Sequence, residues 1–160
     1  MVTNNKELIT RTIDALQEQL NALPRKDIAF EALQNSKAIL VNDLDEAIAL
    51  INEYAPEHLI ISCNEAGSIA EQITNAGSVF LGNYSPESVG DYASGTNHTL
   101  PTNGFAKAYS GVSLDSFYKK ITFQQLTKDG LYNIGKAVTT LAEAEGLHAH
   151  ANAVSIRLNN

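Results

Sequence analysis

The sequence predicts an α/β fold, with a parallel or mixed sheet, flanking helices and a helical C-terminal arm. Two observations support this prediction. In the first half of the chain, short apolar runs alternate with segments of helical periodicity, the order typical of parallel strands joined by right-handed crossovers. The last part of the chain shows only helical periodicity. We therefore expect an α/β domain at residues 1–127 and a helical arm at residues 128–160.

Helix breakers and caps set the boundaries of the first predicted elements. Pro24 ends the first helix, and Pro56 disfavours a helical residue before it, so that another helix must end near Ala55. Asn42 or Asp43 can cap the helix that follows the first strand. The predicted helices cover residues 5–22, 26–34, 44–54 and 66–75, and the predicted strands, the first of them buried, cover residues 38–41, 59–62 and 78–81.

Regular periodicity stops between residues 82 and 104, a stretch rich in Gly, Ser, Asn, Pro and Thr. A long loop of this kind is usually functional or disordered, and its Asp and His favour a functional interpretation. Residues 85–88 (Ser-Pro-Glu-Ser) have the sequence of a helix start. Further along, we expect short strands at residues 105–110 and 120–126, a helix at 128–144 that ends at Gly146, and a final helix at 147–157.

Composition limits the partners that this chain can have. Its formal net charge is −7 and its cations are dispersed, which argues against nucleic acid and anionic lipid and favours a small molecule or a second copy of the chain. The single Cys63 excludes an internal disulfide and a Cys-rich zinc site, and we expect a buried, inert thiol in a reducing cytoplasm. No apolar run reaches the roughly 18 residues of a membrane span, and the first residues show no signal peptide.

The histidines give the strongest functional signal. All four lie in three short polar segments that also carry a carboxylate: residues 55–59 (Ala-Pro-Glu-His-Leu), 90–98 (Gly-Asp-Tyr-Ala-Ser-Gly-Thr-Asn-His) and 145–151 (Glu-Gly-Leu-His-Ala-His-Ala). Imidazole titrates near neutral pH and is the commonest protein metal ligand, and a carboxylate can orient it or complete a coordination shell. Three such segments in one small acidic domain predict a single folded site.

Each candidate residue has a less specific alternative. His58 is a candidate general base with Glu57 as its partner, or the two form an ordinary surface pair. Asp91 is a candidate metal ligand, or it caps a helix or forms an Asx turn. His98 is either a ligand or a hydrogen-bonded loop histidine. The spacings alone are only a weak zinc signal, because they lack the short intervals of known zinc motifs.

The C-terminal pair of histidines cannot act together on one helix. His148 and His150 are two residues apart, about 200° around a helix, so only one of them can face a site. Glu145 and His150 do not share a helical face either, and we expect Gly146 to separate them onto different elements. The chain contains no Gly-x-Gly-x-x-Gly, Walker or Gly-x-Ser-x-Gly motif, so the residues alone show no place for a nucleotide cofactor.

Taken together, these segments resemble the histidinol dehydrogenase family. The resemblance covers essentially the whole chain, and the order and spacing of the matching blocks agree with the family. Besides the three histidine segments, the blocks are residues 75–82 (Asn-Ala-Gly-Ser-Val-Phe-Leu-Gly), 84–87 (Tyr-Ser-Pro-Glu) and 100–102 (Leu-Pro-Thr). The resemblance makes the predicted sheet an incomplete Rossmann-like one.

The resemblance implies an activity. The family oxidises L-histidinol through L-histidinal to L-histidine in histidine biosynthesis, reduces NAD at each step, and is a zinc-dependent homodimer. Glu57 and His58 match its acid–base pair. His58 would remove the hydroxyl proton while hydride leaves for NAD, and Glu57 would activate the water that adds to the aldehyde. Asp91 and His150 match zinc ligands.

The resemblance also implies a substrate site made of several of these residues, and it leaves His148 without a motif position. Its substrate-binding residues would be His58, Asp91, His98, Glu145 and His150. The arm at residues 128–160 is expected to form the dimer and to carry its Glu and His into the site of the partner subunit.

The match covers only the C-terminal part of the family enzyme, and the first residues of the chain look like the middle of a strand. Most of the NAD site and two further zinc ligands, a Gln and a His, are expected upstream. We therefore expect the isolated chain to be inactive. The alternatives are a dimerisation or scaffold module, and a small zinc-binding protein that uses Asp91, His98 and His150 by itself.

Overall fold

The computed structural model describes residues 1–159 and confirms the α/β class. Contacts divide the chain into two units, of which the first spans Met1–Phe117 and the second begins at Tyr118. All strands described within residues 1–159 belong to the first unit. The assignment of a catalytic portion and a dimer-forming arm stays a prediction.

The first unit alternates helices with parallel strand pairs. Strand β1 pairs with β2, and β3 pairs with β4, both in parallel. The helices are α1 (Lys6–Ala22), α2 (Lys26–Leu33), α3 (Leu44–Tyr54), α4 (Ala66–Ala70) and α5 (Glu87–Tyr92), and the strands are β1 (Val2–Thr3), β2 (Ile39–Leu40), β3 (His58–Ile61) and β4 (Ser78–Leu81).

Most of the predicted helix boundaries are confirmed, because they depend on local signals. Asp43, rather than Asn42, caps α3 by accepting a hydrogen bond from the Glu46 amide at 2.9 Å. Helix α4 is shorter than the predicted 66–75. Its last turn tightens into i→i−3 bonds, and the next amides, those of Thr74 and Asn75, donate to the side chain of another helix instead.

The core lies between β3, β4 and the helices beside them. Leu59, Ile61, Ala66 and Ile69 are buried together, and side chains of α3 pack against this cluster. Successive residues of a strand point to opposite faces, so Leu59 and Ile61 face this core while His58 and Ile60 face the other side.

Three expectations were wrong. The strand predicted at 38–41 is not buried, since Ile39 and Leu40 are exposed in a ladder only two residues long and only Val41 is buried. No strand forms at 105–110, because left-handed residues at Asn103 and Gly104 lead into a 3-10 turn at Phe105–Lys107. Residues 120–126 form neither helix nor strand.

The thiol of Cys63 was also expected to be buried. It is exposed instead, because it lies in the turn that follows β3 rather than on the buried face of the strand.

The second unit is a helical hairpin of α6 (Lys128–Ala144) and α7 (His148–Leu158), as predicted. Gly146 has φ +74°, and the amides of Gly146 and Leu147 donate to the carbonyls of Glu143 and Ala142, which is a Schellman ending of α6. Gly135 lets α7 approach closely, because a Cβ there would lie 2.6 Å from Leu158 Cδ1. Within residues 1–159, every helix is too short or too polar to span a bilayer.

Candidate active site

The reversal between α3 and β3 places Glu57 and His58. Ala55 ends α3 in the left-handed region with φ 54°, and it is only 1 % exposed. This conformation costs a non-glycine residue about 1–2 kcal/mol, so the surrounding contacts must hold it in place. Pro56 follows, and His58 is the first residue of β3. Strained backbone therefore lies directly before the two predicted acid–base residues.

Hydrogen bonds from Asn52 of α3 hold the neighbouring turn. Its Oδ1 accepts from the amides of Thr74 at 2.8 Å and Asn75 at 3.4 Å, and its Nδ2 donates to the carbonyl of Gln72 at 2.9 Å. In return, Asn75 Nδ2 donates to the Asn52 carbonyl at 2.9 Å. This clamp fixes the residues that enter β4 against the helix that leads to His58.

The turn held by this clamp meets the backbone of Glu57 at Gly77. Gly77 N donates to the Pro56 carbonyl and Ser78 N donates to the Glu57 carbonyl, both at 2.9 Å. A Cβ on residue 77 would lie 2.5 Å from the Glu57 carbonyl oxygen, so this position requires glycine. The backbone of Glu57 is thus fixed from both sides.

Helix α5 covers the face of the sheet on which His58 lies. The imidazole stacks on the Phe80 ring, with ring centroids 6.0 Å apart and an interplanar angle of 26°. Gly90 packs on the same ring, where a Cβ would come within 2.5 Å of Phe80 Cε1. Thr96 Oγ1 donates to the Gly90 carbonyl at 3.0 Å. Phe80 and Gly90 therefore bring the polar face of α5 against the imidazole.

This packing brings His58 together with two carboxylates of α5. One ligating atom from each of His58, Glu87 and Asp91 lies within 4.8 Å of the others. Glu87 Oε1 is 3.9 Å from His58 Nε2, and Glu57 Oε1 is 3.9 Å from His58 Nδ1. Within residues 1–159, His58 Nε2 is buried without a hydrogen-bond partner.

The surroundings of Glu87 disfavour the ionised form of its carboxyl group. A hydrogen bond with Asp91, partial loss of solvent and the repulsion of the Asp91 charge raise the pKa of Glu87 above its usual value of 4.5, while His58 opposes the shift. Two carboxylates held this close attract a proton or a cation. The cluster can therefore hold a proton between its carboxyl groups or offer hard oxygen ligands to a metal ion.

The structure brings together three of the residues that the sequence singled out: Glu57, His58 and Asp91. Asp91 lies inside α5, so neither the helix-cap nor the Asx-turn alternative describes it. Sequence reasoning gave Glu87 no role in the site. Its signal was its spacing of four residues before Asp91, which places the two carboxylates on one face if the segment is helical.

The other candidate residues are each exposed within their own unit. His98 lies exposed in the loop after α5. Glu145 is the C-cap residue of α6, and His150 lies in the first turns of α7; both are exposed and belong to the second unit. His148 begins α7 and is also exposed. The roles of these residues stay predictions.

Comparison with known proteins identifies the family. The family model described as histidinol dehydrogenase matches residues 1–158. The chain is 56 % identical over 159 residues to a histidinol dehydrogenase of Bacteroides thetaiotaomicron, covering 99 % of this chain and 37 % of that protein. It is 54 % identical over 147 residues to a chloroplastic histidinol dehydrogenase of Arabidopsis thaliana, covering 92 % of this chain and 32 % of that protein.

A solved structure gives the same result. The crystal structure of histidinol dehydrogenase from Elizabethkingia anophelis matches with a TM-score of 0.90 and 54 % identity, over 99 % of this chain and 36 % of that one. The chain belongs to the histidinol dehydrogenase family. It spans 32–37 % of the length of these relatives.

Proposed function

We propose that this chain supplies the acid–base part of an active site that oxidises L-histidinol through L-histidinal to L-histidine in histidine biosynthesis. The observation that carries the proposal is the convergence of the Glu57–His58 pair with Asp91. Glu57 directly precedes β3, which begins at His58, and α5 holds Asp91. The ligating atoms of His58 and Asp91 lie within 4.8 Å of each other, and Glu57 Oε1 lies 3.9 Å from His58 Nδ1. Family membership supplies the substrate and the reaction class.

His58 acts as the general base in this proposal. In the first oxidation, its imidazole would accept the hydroxyl proton of histidinol. NAD, when bound, would supply the acceptor for the hydride on the same carbon, so that the aldehyde is formed. The partial burial of His58, with a side chain 28 % exposed, and its stacking on Phe80 restrict the ring to one orientation. Restricted orientation is what a general base needs, since proton transfer requires hydrogen-bond reach.

Glu57 acts in the second step. Its carboxylate would take a proton from the water that adds to the aldehyde carbon. A second NAD, when bound, would supply the acceptor for the hydride of the resulting hydrate, and the acid so formed would release a proton to solvent to become the carboxylate of histidine. The backbone contacts of Glu57 with Gly77 and Ser78 hold it beside His58. The 3.9 Å between Glu57 Oε1 and His58 Nδ1 lets the two side chains act on one substrate.

Zinc is the proposed metal, with Asp91 and His150 as its ligands from this chain. The carboxylate–imidazole environment around Asp91 fits a zinc ion, which binds both kinds of donor. When bound, the ion would hold the amino alcohol and imidazole of the substrate in place. His58, Asp91, His98, Glu145 and His150 would contact the substrate. His98 is placed in this set only by the resemblance.

The proposed site needs polypeptide beyond these residues. The chain covers 37 % of the length of the first relative. The resemblance implies that most of the NAD site and two further zinc ligands lie in the remainder. We also propose a homodimer in the cytoplasm, with residues 128–160 forming the subunit contact. A scaffold module or a self-sufficient zinc protein is not favoured, because the whole chain matches an enzyme family.

The test joins this chain to the preceding part of the Bacteroides thetaiotaomicron relative and follows NADH formation from L-histidinol. We expect turnover that His58→Asn lowers by about 10²- to 10⁴-fold, the usual contribution of a general base. Glu71→Gln, an exposed carboxylate of the α4 C-cap, is the matched control and should leave the rate unchanged. A His58→Asn enzyme as active as the parent would contradict the role of His58.

A further inference from the structure

We propose that Glu87 is a positioning residue of this site, which holds the His58 imidazole by its Nε2 end and acts on the reaction through that ring. The inference rests on the proposed function and extends it to a residue that the family resemblance left without a role. Three independent features of the structure support it: the placement of the carboxylates around the ring, the fixed approach of α5, and the buried state of Nε2.

The imidazole lies between two carboxylates. Glu57 Oε1 is 3.9 Å from Nδ1 and Glu87 Oε1 is 3.9 Å from Nε2, so each ring nitrogen faces one oxygen. The flat side of the ring rests on Phe80. A ring held at both ends and on one face keeps one orientation. Of the two acidic side chains paired with the ring nitrogens, Glu87 is the one at the Nε2 end.

The packing of α5 against Phe80 fixes the position of Glu87. Gly90 contacts the Phe80 ring so closely that a Cβ would come within 2.5 Å of it, and Thr96 holds the Gly90 carbonyl. Glu87 lies three residues before this contact, on the turn that faces His58. Its carboxyl group is further held by a hydrogen bond with Asp91. The same aromatic ring thus supports both the imidazole and the helix that carries its partner.

The buried Nε2 atom needs a partner at some stage of the reaction. It has no hydrogen-bond partner within residues 1–159, and an unpaired buried polar atom costs free energy. Glu87 supplies the carboxylate oxygen placed 3.9 Å from it. Hydrogen bonds of catalytic residues are often long without substrate and shorten in the reacting complex, so this distance agrees with a partner that closes on the ring.

A structural role for Glu87 makes different predictions. An acidic residue in the first turn of a helix stabilises the helix through its charge alone. Glu87→Asp would keep that stabilisation in full, because it keeps the charge. The stabilisation would not depend on which nitrogen of the His58 ring carries the proton.

The first arm of the test uses the chain itself. Nitrogen NMR of the His58 ring, assigned with His58→Asn, reports the ratio of its two tautomers in metal-free buffer. Replacing Glu87 by Gln keeps the shape and removes the charge at the Nε2 end, so we expect the tautomer ratio to change at least threefold. Glu71→Gln should leave it unchanged. An unchanged ratio in Glu87→Gln would overturn the inference.

The second arm uses the joined enzyme described above. Glu87→Gln should lower kcat by about 10- to 100-fold, the usual effect of removing a residue that orients another, with KM changed less than threefold. Glu87→Asp should recover part of the loss. An unchanged kcat in an active joined enzyme would also overturn the inference. If the parent joined enzyme shows no turnover, the proposed function fails, while the NMR arm still decides whether Glu87 holds the ring.

Discussion

Two parts of the first unit differ in how completely they are packed. Around β3 and β4, the buried residues Leu59, Ile61 and Ile69 form a core, and glycines let backbones touch. In α1 and α2, no residue is buried. Their apolar side chains line an open groove of about 450 Å³, and Ile13 is 44 % and Phe30 56 % exposed.

The difference shows which parts of the fold are held by their own contacts. The segment that carries Glu57 and His58 is held by contacts within this chain: the core beside β3, the backbone contact with Gly77, and the hydrogen bonds of Asn52. Helix α1 has the amphipathic pattern of a packed helix, but its apolar face stays open. A periodic pattern thus predicts that a helix forms, and it leaves undefined what covers the helix. Substitutions in the two regions should therefore differ in their effects.

The largest contrast is expected between matched isoleucines. Ile61→Ala removes a side chain that is 6 % exposed, and it should lower the free energy of unfolding by about 2–5 kcal/mol. Ile13→Ala acts on a side chain that is 44 % exposed and gains helix propensity, so its cost should stay below about 1 kcal/mol. Urea unfolding followed by circular dichroism measures both. Equal losses would mean that α1 is packed as tightly as the core.

A smaller effect is expected at the clamp. Asn52→Ala leaves the amides of Thr74 and Asn75 without their acceptor and should cost about 1–2 kcal/mol. Asn52→Asp keeps the accepting oxygen, loses the bond to Gln72 and sets a second oxygen against the Gln72 carbonyl, so it should recover only part of the stability. The same urea titrations test this. If both variants lose the same stability, the accepting oxygen is not what holds the turn.

The sequence predicts those elements of the fold whose boundaries depend on nearby residues. Helices α1, α3 and α6 follow from periodicity and from caps only three residues away. The early end of α4 does not, because it depends on Asn52, more than twenty residues distant. The strand character of residues 105–110 was overridden by the left-handed turn at Asn103 and Gly104.

The site shows the same division between features that depend on local sequence and features that depend on distant residues. Glu57, His58 and Asp91 carry recognisable motifs, and the structure brings them together. The contribution of Glu87 depends on α5 packing against Phe80, which no local pattern shows. The sequence therefore did not show that α5 brings Glu87 close to His58. The second unit shows the opposite case, since both of its helices follow from sequence while the roles of Glu145 and His150 stay predictions.

The smallest expected effect concerns the charge of Glu87 in metal-free buffer. A raised carboxyl pKa means that the folded state binds the proton more tightly, so stability falls as pH rises from the usual value of 4.5 through the folded pKa. Glu87→Gln removes this loss. The variant should melt at a higher temperature than the parent at pH 7, and the difference should shrink towards pH 4.5. A parent chain more stable than Glu87→Gln at pH 7 would show that the repulsion is absent.

The central claim is that this chain holds the proposed acid–base pair in place and that turnover also needs the preceding polypeptide of the family enzyme. The most direct measurement adds the separately produced preceding part of the Bacteroides thetaiotaomicron relative to the isolated chain and records NADH formation from L-histidinol with zinc present. We predict no turnover by the chain alone and turnover that rises with the added polypeptide until it saturates. Turnover by the chain alone, or none in a mixture whose complex is seen by light scattering, would contradict the claim.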